Sequence, residues 1–310
     1  MDVVSIIIPT LNRPASLRRA LASARAQAAP ADARVRIVVV DNSAQANARA
    51  LVAASAGGDG WPVTYVSEPR PGVANARNAG LRAADGRWIA FLDDDEEAAP
   101  DWLARLLAVA RASGADAVFG PVEARADESG DIGGLAPYFS RSLARADGAD
   151  VTDLAAYLGT NNSLFDRARC LAAAEPFDVS LNESGGEDSL LLKRLVMQGR
   201  RFAFAAEARV VEWTPPRRLT WAYVRKRKFL SGQIRVFVHR MVGPAQWGRI
   251  LLWMTVGLAQ AVGGGIAALL LWPVDRERAA RASATAFGGL GKLLWAPRFR
   301  PALYGSGLVS

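Results

Sequence analysis

The feature that most constrains the fold is an apolar segment that ends in three adjacent carboxylates. Trp88–Leu92 has the composition of an interior β-strand, and Asp93, Asp94 and Asp95 follow it directly. Like charges repel, and burial of one unpartnered carboxylate costs on the order of several kcal/mol. Open α/β sheets bind ligands at the carboxyl ends of their strands, where a divalent cation would hold such charges together. The alternative is a solvated acidic turn that caps the helix opened by Asp101.

Strands and helices alternate through the first half of the chain. Apolar runs predict strands at residues 3–8, 34–40, 62–66 and 88–92, and periodic segments predict helices at about 15–27, 46–54, 72–84 and from 101. This alternation favours an α/β fold with a mixed, mostly parallel sheet flanked by helices. Residues 120–156 predict a long connection over the site. A helix at 189–198 and short strands at 201–205 and 208–212 are expected to close the domain.

Charge divides the chain into two parts. The sequence has 38 Lys+Arg and 30 Asp+Glu. Residues 213–310 hold 15 of the basic and 2 of the acidic residues, a net charge of +13. Residues 1–212 hold the other 23 basic and 28 acidic residues, a net charge of −5. Six of the nine tryptophans also lie in the basic part, and residues 217–240 interleave Arg and Lys with aromatic side chains. We therefore expect three regions: a catalytic domain (1–212), basic aromatic juxtamembrane helices (213–246) and an apolar, membrane-associated C-terminal region (247–310).

The apolar part of that tail predicts a helical membrane-associated segment. Residues 250–272 carry no charged side chain, and about 20 apolar residues suffice to cross a bilayer core. Three glycines at 263–265 predict a kink or re-entrant turn, and a second, shorter apolar stretch covers residues 282–295. Because Arg residues flank both ends, in-plane or hairpin insertion at the cytoplasmic face of the cell membrane is expected at least as much as a single span. The alternative is a buried core helix of a soluble dimer.

Two residue types that occur once exclude several classes of protein. Cys170 is the only cysteine and His239 the only histidine, which rules out an intramolecular disulfide and a cysteine-based zinc site. A histidine in a basic stretch also argues against serine hydrolase chemistry. The chain enters a strand at once, so no secretory signal is expected. Neither GxGxxG nor GxxxxGK[ST] occurs, so phosphates are expected to be held by a metal and Arg side chains.

Polar side chains recur where the predicted strands end. The set is Thr10, Asn12 and Arg13, then Asp41, then Arg77 and Asn78 in the following helix, and the three acids after residue 92. Each alone could cap a helix. In a parallel sheet these ends meet at one edge. Together they predict a pocket with hydrogen-bonding groups for a base and ribose, cations for phosphates and carboxylates for a metal, as a nucleotide diphosphate requires.

Five segments together resemble family 2 glycosyltransferases of the GT-A fold. They are VSIIIPT at 4–10, VDNS at 40–43, GVANARNAG at 72–80, FLDDD at 91–95 and GED at 186–188, in the family's order over about residues 1–212. The tail that begins EWTPPR at 212, with its basic helix and apolar C-terminus, is similar to the ExoM-like branch of exopolysaccharide (succinoglycan) biosynthesis. The resemblance implies a transfer of a sugar from a nucleotide-diphosphate sugar, expected to be a UDP-hexose.

The resemblance also implies which residues hold the donor. That set is Pro9, Thr10, Asn12, Arg13, Asp41, Arg77, Asn78, Asp93 and Asp94. Asp41 would accept a hydrogen bond from uracil, Arg77 would approach the diphosphate, and Asp94 would hold the ribose. Asp95 would ligate Mg²⁺ or Mn²⁺ with support from Asp93. Relatives carry a histidine after the final strand as a further ligand; here Glu212 is the candidate.

The same resemblance assigns the acceptor side. Asp188 would be the catalytic base, and Glu187, with Asn161 and Asn162, would bind the acceptor. The first turn of a helix favours the ionised form of Asp188, and one base with no second nucleophile implies inversion at the anomeric carbon. A saccharide linked to polyprenyl diphosphate is the expected acceptor, because a basic, tryptophan-rich tail suits inner-membrane lipid.

Two other functions are compatible with parts of the sequence. A sugar-1-phosphate nucleotidyltransferase also has a carboxylate metal site on an α/β sheet, but it is expected to carry an early glycine-rich loop where this chain has PTLNRP at 9–14. A nucleic-acid-binding protein could use the basic and aromatic residues 217–240. The adjoining uncharged stretch favours lipid, and no nucleic-acid partner is expected.

Overall fold

A seven-stranded sheet forms the centre of the molecule. The computed structural model describes residues 1–28, 32–57, 59–127 and 130–299. Strands in this part of the chain are β1 (Asp2–Thr10), β2 (Ala33–Asp41), β3 (Val63–Ser67), β4 (Trp88–Leu92), β5 (Glu96–Ala98), β6 (Ala117–Phe119), β7 (Val122–Ala126), β8 (Asn162–Asp166), β9 (Phe202–Phe204) and β10 (Val210–Thr214). The order of the central sheet is β3-β2-β1-β4-β8-β6-β9. Only β8 runs antiparallel to its neighbours, which confirms a mostly parallel sheet.

Helices cover both faces of this sheet. Those before residue 213 are α1 (Pro14–Arg25), α2 (Arg49–Ser55), α3 (Val73–Ala83), α4 (Trp102–Ser113), α5 (Ala136–Phe139), α6 (Arg167–Cys170) and α7 (Glu187–Met197). Ile6 and Ile8 face α1 and α4, whereas Ile7 faces α3 and α7. Because both faces are buried, the central strands read as continuous apolar runs without alternation.

The carboxyl ends of β1, β2 and β4 align, and this determines where the candidate site lies. In the β1–β2 ladder Thr10 is opposite Asp41, and β1 also pairs with β4. The residues that follow β1, β2 and β4 therefore meet at one edge, as the sequence predicted.

A second sheet, of order β5-β10-β7, flanks this edge. The prediction of a long connection over 120–156 was wrong for β7, whose residues alternate between buried and exposed and pair in parallel with β10. The strand was missed because its partner lies far along the chain and its solvent face carries Glu123 and Arg125. In the β5–β10 ladder Glu212 lies opposite Glu96.

Three helices make up the C-terminal part: α8 (Trp221–Met241), α9 (Trp247–Leu271) and α10 (Arg276–Leu293). α9 runs unbroken through its three glycines, so the predicted re-entrant turn was wrong. The reason is close helix packing: a Cβ at Gly264 would lie 2.8 Å from the Ala282 carbonyl oxygen on α10. Residues 300–310 of the predicted membrane-associated region lie outside the described residues.

Much of the surface of α9 is apolar and uncovered. Of its residues only Ile250 and Gly257 are buried, and Leu269 and Leu270 are 78% and 70% exposed. Among the described helices α9 is the one long and apolar enough to cross a membrane. Within this chain it is not a core helix, and its exposed face is compatible with membrane association.

Candidate active site

Two of the three carboxylates after β4 are joined to the end of β1. Thr10 Oγ1 donates a 2.7 Å hydrogen bond to Asp94 Oδ2, and Arg13 Nη1 lies 3.1 Å from Asp94 Oδ1. The same guanidinium nitrogen lies 2.9 Å from Asp95 Oδ2. Four residues predicted to bind donor or metal are therefore together. Burial, reinforced by the charge of Asp95 and opposed by Arg13, raises the pKa of Asp94 to about 7.

The third carboxylate belongs to a second cluster, built around Arg77. This guanidinium is buried on α3 and donates from Nη2 to Asp93 Oδ1 at 3.3 Å and from Nη1 to Glu187 Oε1 at 2.5 Å. It thus connects the end of β4 to the first turn of α7. Burial raises the pKa of Glu187 to about 7, with the negative charge of Asp188 adding to the effect.

Two further acids close the site from the second sheet. Glu96 is buried; its Oε2 accepts the Asp93 backbone N–H at 3.0 Å, and its Oε1 accepts a hydrogen bond from Asn161 Nδ2. Burial, Asp93 and Glu212 raise the pKa of Glu96 well above its usual value. Burial and the charge of Asp95 raise the pKa of Glu212 to about 7.

Arginines from three separate segments face these acids. Arg218 Nη1 lies 3.6 Å from Asp95 Oδ2, and the positive charges of Arg227, Arg218 and Arg141 oppose the rise in the pKa of Glu212. Sequence reasoning missed Glu96, Arg141, Arg218 and Arg227 as members of the site. Arg218 and Arg227 were grouped with the basic tail, and Arg141 fell in the stretch expected to be a connection, so no local pattern marked any of them.

The donor chemistry of the site fits Mg²⁺ or Mn²⁺, which prefer oxygen ligands. In the described parts of the chain no three carboxylate, histidine or cysteine side chains form a group that could hold a metal. The predicted set of Asp93, Asp95 and Glu212 is therefore not a preformed cage, because Asp93 turns toward Arg77 and Glu212 belongs to the second sheet. Mg²⁺ is commonly held by one or two carboxylates together with substrate phosphates, and Asp95 suits that arrangement.

The candidate base lies at the start of α7. Gly185 and Gly186 precede the helix with φ of +70° and +93°, a conformation open to glycine. A Cβ at Gly186 would lie 2.9 Å from Phe237 Cζ on α8, so this turn also packs tightly. Asp188 is half-buried, and its Oδ1 accepts the Ser189 backbone N–H at 2.6 Å. Its Oδ2 has no hydrogen-bond donor within the described residues and is available to a hydroxyl.

The side chains of three predicted binding residues make hydrogen bonds within the fold. Asp41 is fully buried; its Oδ1 accepts the Ser43 N–H at 3.0 Å and its Oδ2 the Ala48 N–H at 2.8 Å, so it holds the turn after β2. Asn78 exchanges two hydrogen bonds with the Phe177 backbone. Asn162 is buried between Trp102 Nε1 and two backbone carbonyls. The structure does not bring the side chains of Asn78 and Asn162 to the pocket, because their amides are hydrogen-bonded to other groups in the interior.

The remaining predicted residues lie along the same edge. Pro9 is in β1 opposite Val40. Asn12 adopts a positive φ of 56° and its Oδ1 accepts a 2.7 Å hydrogen bond from Asn47. Asn161 bonds to Glu96 and Arg141, which places it beside the acidic cluster.

Comparison with known proteins identifies the family of this chain. The sequence profile described as "Glycosyl transferase family 2" matches residues 5–164, more than half of the chain. The chain belongs to glycosyl transferase family 2. This glycosyltransferase is 34% identical over 284 residues to the succinoglycan biosynthesis protein ExoM of Rhizobium meliloti, a match that covers 89% of this chain and 87% of the relative. Membership decides between a glycosyltransferase and a nucleotidyltransferase in favour of the first.

Two solved structures show the fold of this glycosyltransferase. The mannosyltransferase PcManGT of Pyrobaculum calidifontis, in complex with GDP-Man and Mn²⁺, aligns with a TM-score of 0.61 at 20% identity over 94% of this chain and 87% of the other. Residues 1–349 of S. aureus TarS, in complex with UDP, align with a TM-score of 0.53 at 18% identity over 94% and 89%. The predicted GT-A fold is confirmed.

Proposed function

We propose that this glycosyltransferase is metal-dependent and inverting, and moves a hexose from a nucleotide-diphosphate sugar to a lipid-linked saccharide. The observation that carries the proposal is the meeting of Asp95, Arg13 and Arg218 at one sheet edge, with Asp188 held nearby through Glu187 and Arg77. Carboxylate and guanidinium groups together suit a metal-bound diphosphate. The donor we favour is a UDP-hexose.

On the donor side the protein binds and orients the diphosphate. Asp95, with Asp93 in support and Glu212 across the second sheet, would hold Mg²⁺ or Mn²⁺, which supplies positive charge next to the leaving group. Arg13 and Arg218 already lie against Asp95 and would hold the phosphate oxygens. Asp94, fixed by Thr10, would accept hydrogen bonds from the ribose.

On the acceptor side Asp188 removes a proton. As the acceptor oxygen forms its bond to the anomeric carbon, the bond from that carbon to the diphosphate breaks, and Asp188 Oδ2 takes the hydroxyl proton from a distance of roughly 3 Å. Attack on the face opposite the leaving group inverts the anomeric centre. The pair of Arg77 and Glu187 keeps this turn of α7 in position.

The setting we propose is polysaccharide assembly at the cytoplasmic face of the cell membrane. Support comes from a relative that is named for succinoglycan biosynthesis and from the uncovered apolar face of α9 beside basic α8. A saccharide carried on polyprenyl diphosphate would reach the site from such a surface. Residues 1–212 would then be the catalytic domain, with residues 213–246 and 247–310 as its membrane-facing regions.

A binding and turnover screen tests this proposal. The purified full-length protein is mixed with UDP-, GDP- or dTDP-hexoses in Mn²⁺, in Mg²⁺ or in chelator, and donor binding and hydrolysis are measured. We expect one nucleotide class to bind in a metal-dependent manner and Asp95→Ala to abolish that dependence. Asp101→Ala is the matched control, because among the described residues the Asp101 side chain pairs only with the exposed Arg105 on α4. Donor binding that changes neither with the metal nor in Asp95→Ala would overturn the proposal.

A further inference from the structure

A cavity lies directly behind the candidate base. Its volume is about 430 Å³, and it is enclosed by the 3-10 turn Thr152–Tyr157, α7, α8 and α9. Ser189 lines the cavity and donates its backbone N–H to Asp188. The cavity therefore adjoins the residue that receives the acceptor proton.

The walls of the cavity carry three positively charged side chains. Lys193, Arg235 and Arg249 line it, and in the described parts of the chain no carboxylate lies within ion-pair distance of any of them. The Arg235 guanidinium lies over the rings of Tyr157 and Trp253, at 4.5 and 5.3 Å from their centroids. The one acid in the wall, Asp153, is exposed.

Burial and mutual repulsion disfavour the charged forms of these side chains. Burial lowers the pKa of Arg235, and burial with repulsion from Arg249 lowers the pKa of Lys193. His239 also lines the cavity, and burial together with the positive charges of Lys193, Arg249 and Arg235 lowers its pKa. Grouped cations that lack a carboxylate within ion-pair distance are stabilised when an anion binds, and phosphate oxygens match guanidinium and ammonium donors best.

The cavity continues onto the apolar surface of α9. Trp253 belongs to α9, and a second, more open cavity at the start of that helix is lined by Lys193, Trp247, Arg249 and Leu252. Exposed leucines and valines extend from there along the helix. A ligand seated among the cations would thus have the candidate base on one side and an apolar surface on the other.

We propose that this cavity binds the phosphate or diphosphate of a lipid-linked acceptor, with its hydrocarbon chain along α9 and its saccharide directed to Asp188. The inference rests on the proposed function for the identity of the acceptor. Bulk anionic headgroups and free diphosphate share this chemistry, so the test must separate them from a phosphate attached to a polyprenyl chain.

Vesicle binding by the full-length protein provides the test. Flotation is measured with phosphatidylcholine vesicles that contain either a polyprenyl monophosphate or an equal charge of phosphatidylglycerol, and the ratio of the two affinities is recorded. We expect the wild-type protein to prefer polyprenyl phosphate and Arg235→Gln to lower the ratio about tenfold, as loss of a charged hydrogen-bond partner implies. Arg240→Gln, an exposed change on the same helix, should keep the ratio within about twofold.

The outcomes that overturn the inference are distinct from failure of the proposed function. A wild-type ratio near one, or an equal loss in Arg235→Gln and Arg240→Gln, would leave only bulk attraction to anionic lipid. An affinity for soluble pyrophosphate as high as that for polyprenyl phosphate would indicate a free-anion site. If Arg235→Gln unfolds, Arg249→Gln, at an exposed position, replaces it with an expected loss of about fivefold. Donor binding, measured in parallel on the wild-type protein, reports on the proposed function independently.

Discussion

Arg77 on α3 and Glu187 on α7 form a buried ion pair, with Nη1 and Oε1 2.5 Å apart although the residues are 110 positions apart in the chain. Arg77 also contacts Asp93 and lies over the Phe177 ring at 5.5 Å from its centroid. A single guanidinium therefore joins the carboxylates of β4 to the helix that carries the candidate base.

Removal of this guanidinium should destabilise the protein. Arg77→Ala leaves Glu187 buried without its partner, and breaking one side of such a pair costs about 3–5 kcal/mol in the free energy of unfolding. Arg82→Ala on the same helix is the control, because Arg82 is half-exposed and pairs with Glu68 at 3.2 Å, which predicts a loss below about 1 kcal/mol. Urea unfolding measures both. Equal losses in the two variants would contradict a special role for Arg77.

Glu187 should make stability depend on pH. Its pKa is about 7 in the folded protein against a usual 4.5, so between these values the folded state binds more protons than the unfolded chain. Its contribution to the free energy of unfolding is then present below pH 4.5 and is lost as the pH rises through about 7.

Glu187→Gln cannot titrate, and this isolates the effect. Over the same pH range the stability of the variant relative to the wild type should rise by up to about 3 kcal/mol. Urea unfolding of both proteins in chelator across this range measures the difference. Parallel pH profiles for the two proteins would show that Glu187 is not the titrating group.

Asp188→Asn should separate binding from turnover. Asparagine keeps the size of the side chain but cannot take the acceptor proton, so the transfer rate should fall at least about 10²-fold while donor binding is retained. Glu183→Gln, at an exposed position shortly before the helix, is expected to behave as the wild type. Single-turnover transfer and donor titration give the two quantities. Normal turnover in Asp188→Asn would remove this residue from the base role.

Two glycines in the C-terminal helices should respond in opposite directions. A Cβ at Gly289 would lie 2.4 Å from the Gly257 carbonyl oxygen, whereas nothing lies within 4 Å of one at Gly263. Gly289→Ala should therefore cost about 1–3 kcal/mol through overpacking, and Gly263→Ala should stabilise α9 by up to about 1 kcal/mol. Thermal unfolding of the full chain in detergent compares them, and similar changes would show that α9 and α10 do not pack this closely.

Several features of the fold could be predicted from local pattern because they repeat over enough residues. The apolar runs of β1, β2 and β4 and the acids after β4 are contiguous, so strand, sheet type and the position of the site at a strand end followed from them. β5 and β6 have three residues each, too few for a periodic signal. The family segments likewise indicated the GT-A fold, which the solved structures confirm.

The site itself was only partly predictable, since a residue type does not specify its partner. Asn78 and Asn162 carry the right chemistry for ligands, but backbone groups far along the chain use their amides. Glu96 and Arg218 carried no motif, yet pairing of β5 with β10 and the turn before α8 bring them to the acids.

The sequence by itself determined the layered α/β architecture, the family and the location of the acids, because those depend on contiguous patterns of burial and charge. Only the tertiary structure decided which charges meet: Arg77 with Glu187, Arg218 with Asp95, and Lys193, Arg235 and Arg249 around one cavity. Such meetings depend on sheet register and helix packing between distant segments, and their energies arise from burial and distance, which a linear order of residues does not contain.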